Sequence, residues 1–425
     1  MRDQARAIAL KLLIEYEERH TFPNLALKEA LRKVEKERDR RFITALVYGV
    51  LERKITLDHF LSQCCDKKLA SLSPSVLSAL RMGVYQLFYM DIPPSAACNT
   101  SVMLAKSEGF SYSAGLINAV LRRCIREKDQ LMILKKASFS VRYSISPFLV
   151  DLLLEQYGKE TFISIMENGC KKEEYLYLFH NKKKCSEDAL LSALESEGIS
   201  PEKADLPYLY KTKTSFSVEG SQAYQKGFYH IIGYHSAMAA LLMPENAKNI
   251  LDLCAAPGGK TFAMASRTNG RIRAYDVHPH KVQLLKKSAE RMGHQNVSAC
   301  LGDSSIYDPS LDESAEFILC DVPCSGLGMI GKKPDIKYKE YDGAELLEIQ
   351  GKILENASKY LKAGGRLVYS TCTIDRRENE QQIERFLNTH PEFEKDYSDI
   401  ANGETLFLPN ADGDGFFIAV LKKGT

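Results

Sequence analysis

Five short apolar runs lie between residues 249 and 370 (249–254, 271–277, 297–302, 315–320 and 365–370). Longer stretches with helical spacing separate them, most clearly Leu346, Leu347, Ile349, Ile353, Leu354 and Leu361. This alternation constrains the fold strongly. The runs pair as parallel strands, and the intervening helices cover both faces of the sheet. Two further runs, 405–408 and 415–421, predict a closing hairpin. In an open parallel sheet, ligands and chemistry collect at the carboxyl ends of the strands. The residues that directly follow each run are therefore the candidates for function.

Two of those residues are cysteines. Cys324 follows the fourth run in Asp321-Val-Pro-Cys-Ser-Gly326, and Cys372 follows the fifth in Tyr369-Ser-Thr-Cys-Thr373. Two thiols at two strand ends predict covalent chemistry at one shared site. The chain holds eleven cysteines, an odd number, with no C-x-x-C pair, and its nine histidines do not join them at zinc-finger spacing. Free thiols and no structural metal are expected. Cys64, Cys65 and Cys320 read as small buried side chains.

After the first run comes Asp252-Leu-Cys-Ala-Ala-Pro-Gly-Gly-Lys-Thr261. Small residues here (Cys254, Ala255, Ala256, Pro257, Gly258, Gly259) let the backbone approach a ligand, and the amides of the following helix face it. Gly259-Lys260-Thr261 matches the end of a phosphate-binding P-loop, but the first glycine of that motif would fall at Cys254. No G-x-G-x-x-G is present. The loop therefore predicts a nucleotide-like ligand without a pyrophosphate, such as S-adenosylmethionine. The second run ends in Asp276, 24 residues after Asp252 and suited to ribose hydroxyls, and the third in Gly302-Asp303, suited to an adenine amino group. One strand-terminal Asp alone would read as a helix cap. Three, Asp276, Asp303 and Asp321, favour a ligand, and their charge suits a sulfonium.

Residues 1–136 read as an all-helical bundle, with apolar side chains recurring at three and four (Ala7, Leu10, Leu13, Ile14; Leu77, Leu80, Val84, Leu87). Ser73-Pro74 predicts an N-cap and first-turn proline. Residues 137–215 predict a small α/β segment with a strand at 175–180 and a helix at 186–197, and with basic runs at Lys171-Lys172 and Lys182-Lys-Lys184. Residues 216–425 are the parallel-sheet domain. The first 136 residues hold 23 Lys and Arg against 15 Asp and Glu, whereas the remainder is net acidic. A polyanion held by one part of the chain is consistent with this split. The start has no uninterrupted apolar core of a signal peptide, and no stretch has the roughly 20 apolar residues of a membrane span. A cytoplasmic protein is expected.

The strings DLCAAPGGKT, DVPCSG and YSTCT, followed by Glu378-Asn-Glu380, resemble the motifs of the RNA 5-methylcytosine methyltransferases. With the helical amino-terminal region, which resembles the NusB fold, and with Asp414-Gly-Phe-Phe417, the chain is similar to the RsmB (Sun/Fmu) family of bacterial ribosomal RNA methyltransferases. The resemblance implies a multidomain protein. A NusB-like RNA-binding bundle (1–136) and a small α/β linker domain (137–215) would precede a Rossmann-like S-adenosylmethionine-dependent methyltransferase domain (216–425). It implies methylation at carbon 5 of a cytosine in 16S ribosomal RNA, position 967 in conventional numbering, by a monomer acting on unpaired or loop RNA.

Such chemistry needs a thiolate that adds to carbon 6, a group that holds the ring, and a base for release. The residues alone leave open which thiol attacks. The resemblance assigns Cys372 as nucleophile, Cys324 to release, and Asp321 to the ring edge. Lys260 is expected to acidify a nearby thiol. Lys332-Lys333 and Arg376-Arg377, beside the two cysteines, are candidates for phosphate contacts. The alternatives are a transfer-RNA cytosine-5 methyltransferase and a non-catalytic RNA-binding or antitermination factor. Departures from the family pattern fall at Ile231-Ile-Gly-Tyr-His-Ser236, Phe179-His-Asn181, Gly331-Lys-Lys333, Phe148 and Tyr338, and the chain has no tryptophan.

Overall fold

A computed structural model describes residues 3–19, 24–169, 175–213, 216–340, 343–400, 402–410 and 413–425. The Lys171-Lys172 run lies outside them. The chain divides into two compact units: residues 1–155 with 333–340, and residues 156–332 with 341–425.

The first unit is helical. Its main helices are Gln4–Arg19, Asn24–Arg32, Glu37–Glu52, Lys54–Cys64, Pro74–Tyr89, Pro94–Ser107 and Ala114–Arg126. The helix Pro74–Tyr89 is apolar on almost every face and is buried from Val76 to Phe88 with few breaks, which makes it the centre of the bundle. As expected, Ser73 caps it, accepting a hydrogen bond from the Val76 amide. The one charge on its buried surface, Arg81, is paired with Asp58 (2.6 Å) and Glu17 (2.9 Å), and Glu17 also binds Lys54 (3.0 Å).

Residues 333–340 complete this unit. Helix ends leave carbonyls and amides without intrahelical partners, and the junction between Glu37–Glu52 and Lys54–Cys64 exposes both kinds. The Tyr338 hydroxyl donates to the Leu51 carbonyl (2.6 Å) and accepts from the Lys54 amide (3.1 Å). The buried Lys337 ammonium donates to the Glu52 carbonyl (3.2 Å), and Ser144 Oγ accepts from the Ile55 amide (3.0 Å).

The second unit holds two sheets. In the smaller, β1 (Tyr175–His180), β2 (Glu202–Lys203), β3 (Leu209–Lys213) and β4 (Tyr229–Ile231) run antiparallel in the order β2-β3-β1-β4. The predicted helix beside it spans Glu187–Ser196 with Ser186 as its cap. The larger sheet comprises β5 (Asn249–Asp252), β6 (Arg271–Asp276), β7 (Val297–Leu301), β8 (Ala315–Asp321), β9 (Leu361–Thr371), β10 (Phe393–Lys395), β11 (Glu404–Phe407) and β12 (Phe416–Lys423). The five predicted runs are β5 to β9, all parallel, in the order β7-β6-β5-β8-β9. β12 runs antiparallel beside β9 and carries β10 and β11 on its other side, so the sheet is mixed. Leu361 does not close the preceding helix, which ends at Tyr360. It opens β9, where it faces Ala315 of β8.

Both faces are covered, as the alternation requires. Phe317, Leu319 and Val368 pack with Ala237, Ala240 and Ala263 on one side. Ile318, Cys320 and Leu367 pack with Ile353, Leu354 and Ile383 on the other. Chain order reverses between β5 and β8, so the crevice at their carboxyl ends is where a ligand is expected.

Candidate active site

Beyond Asp252 the chain stays wedged between neighbouring strands. The Leu253 amide donates to the Leu319 carbonyl (3.0 Å) and the Ala255 amide to the Tyr275 carbonyl (2.8 Å). The Ala256–Pro257 peptide is cis. Gly258 sits at φ 109°, and a Cβ there would meet Phe262 at 2.4 Å and Leu285 at 2.6 Å, so both conformation and space demand glycine. His230 of β4 lies 2.9 Å from the Gly259 carbonyl, and burial pushes its pKa down to about 3. Cys254 is part of this loop, and burial pushes its thiol well up, which makes it a poor nucleophile.

Asp252 is buried. One carboxyl oxygen accepts from Thr261 Oγ1 (2.7 Å), the other has no partner, and burial raises the group to about 7. Asp276 turns one oxygen onto the His278 amide (2.9 Å), and its second lies 3.9 Å from the Lys281 ammonium. Asp303 accepts the Ser305 amide (2.9 Å) and hydroxyl (2.6 Å) on one oxygen. Both acids therefore brace their own turns with one oxygen; the second oxygen of Asp276 faces Lys281. Beside them Val277 and Ile306 are large apolar side chains, 52% and 67% exposed. Acceptors next to bare apolar surface, above a glycine loop with no pyrophosphate cradle, fit the nucleoside of S-adenosylmethionine.

Asp321 closes β8. Its carboxylate accepts from Lys260 Nζ (2.7 Å) and Ser370 Oγ (2.8 Å), while the Lys260 ammonium lies 5.1 Å from the centre of the Phe416 ring. Lys260, expected to acidify a nearby thiol, gives its hydrogen bond to the Asp321 carboxylate. Cys324 and Cys372 do meet, sulfur to sulfur, at 3.4 Å. The hydrogen bond to Cys372, and then burial, push the Cys324 thiol well up, and either sulfur of the pair can be the donor.

Beneath the thiols lies a buried polar network. The Glu378 carboxylate accepts from the Ser325 amide (3.0 Å) and Gln350 Nε2 (2.8 Å), and that same amide group also reaches the Pro323 carbonyl (2.9 Å). Ser325 and Thr373 share a hydroxyl bond of 2.7 Å, Asn379 donates to the Thr373 carbonyl (3.0 Å), and Thr371 Oγ1 binds Asn379 (2.6 Å). The Gly328 amide donates to the Cys372 carbonyl (3.0 Å), tying the loops directly. Sequence reasoning gave none of these residues a role. Gln350 carried a signal, a glutamine between Leu347 and Ile353 on an apolar stripe.

The basic pairs flanking the cysteines are partly committed elsewhere. Lys332 binds Asp414 (2.7 Å), and Arg377 forks onto the buried Asp375 (2.6 Å), which corrects its reading as a free phosphate contact. Arg376 remains exposed. In the middle segment Lys183 is exposed, and its ammonium donates to the Thr268 carbonyl.

A parallel sheet whose first strand leads into a glycine loop, whose next two end in acids, and whose following loops bring two thiols together defines an S-adenosylmethionine-dependent methyltransferase. Residues 239–422 match the 16S rRNA methyltransferase RsmB/F family, and residues 3–126 the NusB family. The chain is 35% identical to the probable ribosomal RNA small subunit methyltransferase B of Bacillus subtilis, over 98% of both chains. It is 32% identical to its counterpart in Synechocystis, over 99% of both. The chain belongs to the ribosomal RNA small subunit methyltransferase B family and is an S-adenosylmethionine-dependent rRNA methyltransferase. Among solved structures, that of PH0851 superposes with a TM-score of 0.80 at 25% identity over 99% of both chains. That of NSun6 from Pyrococcus horikoshii with SFG shares the fold over 66% of this chain and 98% of its own, with a TM-score of 0.57 at 22% identity.

Proposed function

We propose that the enzyme methylates carbon 5 of one cytosine in unpaired or loop 16S ribosomal RNA, the cytosine that the family resemblance implies, with Cys372 as nucleophile. The Cys372 thiolate adds to carbon 6, forming an S–C6 bond and placing enamine character on carbon 5. S-adenosylmethionine, when bound, supplies the methyl group. Cys324, as its thiolate, then takes the carbon-5 proton, the C5–C6 double bond re-forms, and the S–C6 bond breaks to return the Cys372 thiolate.

The Asp321 carboxyl group, oriented by Lys260 and Ser370, accepts a hydrogen bond from the ring edge. Residues 254–259 with Lys260, Asp276, Asp303 and Asp321 hold the donor. A target base has to leave its stack to reach groups this deep. In this reading residues 1–136 bind RNA and 137–215 link them to the catalytic residues 216–425, in a monomeric cytoplasmic enzyme.

The observation that carries the assignment is the thiol pair. Two sulfurs 3.4 Å apart let one attack while the other serves release, and the family resemblance gives Cys372 the attack and Cys324 the release. Cys372→Ala should lose both turnover and any trapped protein–RNA adduct, whereas Cys324→Ala should accumulate adduct. The opposite pattern would exchange the roles. Bisulfite mapping of 16S RNA from cells lacking the gene tests the substrate, and an unchanged methylation pattern sinks it.

A further inference from the structure

The turn that follows Cys372 is held from outside the catalytic motifs. Four contacts reach it from two adjacent residues, Gln156 and Tyr157, where the second unit begins. Gln156 uses both ends of its amide: Nε2 donates to Asp375 Oδ1 (2.9 Å), and Oε1 accepts from the Arg376 amide (3.0 Å). The Tyr157 hydroxyl donates to the Ile374 carbonyl, and the Arg376 guanidinium lies over its ring at 4.9 Å. Directly afterwards Gly158 breaks the helix Pro147–Asn168 at φ 73°, ψ 172°, a conformation that is essentially glycine's alone. The clamped residues are themselves rigid, since Ile374 and Asp375 are buried and the Asp375 amide donates to Thr373 Oγ1 (3.1 Å).

We infer that Gln156 and Tyr157 are positioning residues for the methyl-transfer reaction, locking residues 374–376 so that Cys372, two residues earlier, keeps its sulfur beside Cys324. The clamp explains a feature that a merely structural contact does not require. All three consecutive residues of the turn are bound through side-chain amide, hydroxyl and ring at once, and every partner lies on two neighbouring positions just before a helix break. A backbone fixed on both sides of a nucleophile restricts where its sulfur can go, and displacements of about 1 Å cost on the order of a hundredfold in rate. The inference rests on the reading of Cys372 as the nucleophile.

The test uses the full-length enzyme with Tyr157→Phe, Gln156→Leu and the double variant, and Cys372→Ala alongside. Single-turnover formation of the RNA adduct and kcat should both fall, by about tenfold or more in the double variant. KM for RNA and affinity for S-adenosylhomocysteine should stay within about twofold. Alkylation of Cys372, mapped peptide by peptide across pH, should change in rate or midpoint while that of Cys64 does not. Wild-type kcat and an unchanged alkylation profile in the double variant would overturn the inference. So would a parallel loss of melting temperature and cofactor affinity, already present in the milder Tyr157→Phe, because that marks a folding role only. Adduct formation surviving in Cys372→Ala would instead overturn the reading on which the inference depends.

Discussion

Asp252 sets an electrostatic condition on the site from below. Its ordinary pKa is 3.8 and burial raises it to about 7, so the native protein holds this proton more tightly than the unfolded chain does. Stability contributed by the group is therefore present below about pH 4 and is lost as pH rises toward 7. Asp252→Asn, which can still accept from Thr261, should gain in melting temperature over wild type at pH 8 and gain little at pH 5. The histidines act in the other direction. His230 and His294 are pushed down to about 3 and about 4, so both stay neutral while the unfolded chain takes up protons below about 6.5. Denaturant midpoints should fall between pH 6.5 and 4, and less steeply in His294→Gln.

Glu378 is a different case, a buried acceptor serving two donors. In Glu378→Ala the Ser325 amide loses its partner while Gln350 keeps the Pro323 carbonyl, at a cost of about 1–3 kcal/mol for the buried amide left unsatisfied. Chemical denaturation measures that loss, and kcat should fall with it because the Cys324 loop is what the bonds hold. At this scale the sequence was readable where chemistry leaves a string, at Cys324, Cys372, Asp321 and the loop from Cys254. It placed Glu378 in a motif without a role and was silent on Gln350, Gln156 and Tyr157, whose partners lie far away in sequence. Lys260 was found but not its hydrogen bond to Asp321, because motif spacing shows proximity to the site and not which charge the ammonium will meet.

Among the elements, the loop after β5 depends on the conformation of one residue. Gly258→Ala would put a methyl into Phe262 and Leu285 at a positive φ. S-adenosylhomocysteine affinity measured by calorimetry should fall by at least about tenfold, with the bundle's own unfolding unchanged. The cap at Ser73 is simpler, and Ser73→Ala should cost about 1 kcal/mol in denaturant unfolding. Strands β5 to β9 were legible because buried parallel strands read as apolar runs. The beginning of β9 was not, since Leu361 continues the spacing of the helix before it and only pairing with Ala315 removes it to the sheet. The partition of β10 and β11 along one edge of β12 is also a matter of long-range pairing, which no local pattern encodes.

For the whole molecule, Arg81 concentrates the ionic energy of the helical unit. Removing it takes the partner from Asp58 while Glu17 keeps Lys54, and since loss of one partner of a fully buried pair costs about 3–5 kcal/mol, the cost at this partly exposed acid is smaller. Arg81→Ala should therefore lower the transition of this unit in calorimetry, whereas Arg81→Met with Asp58→Leu should recover part of the loss. The helical unit also contains residues 333–340, which the chain reaches only after four of the eight strands of the larger sheet. Tyr338 and Lys337 supply the partners that the Leu51 and Glu52 carbonyls and the Lys54 amide lack in their own helices. A gene fragment stopping at residue 155 would therefore encode a bundle with an open seam, and adding residues 333–340 as a separate peptide should raise its melting temperature. In ribosomal synthesis the same arrangement means that the helices meeting at Arg53 wait for a segment translated some 285 residues later before their last backbone groups are satisfied.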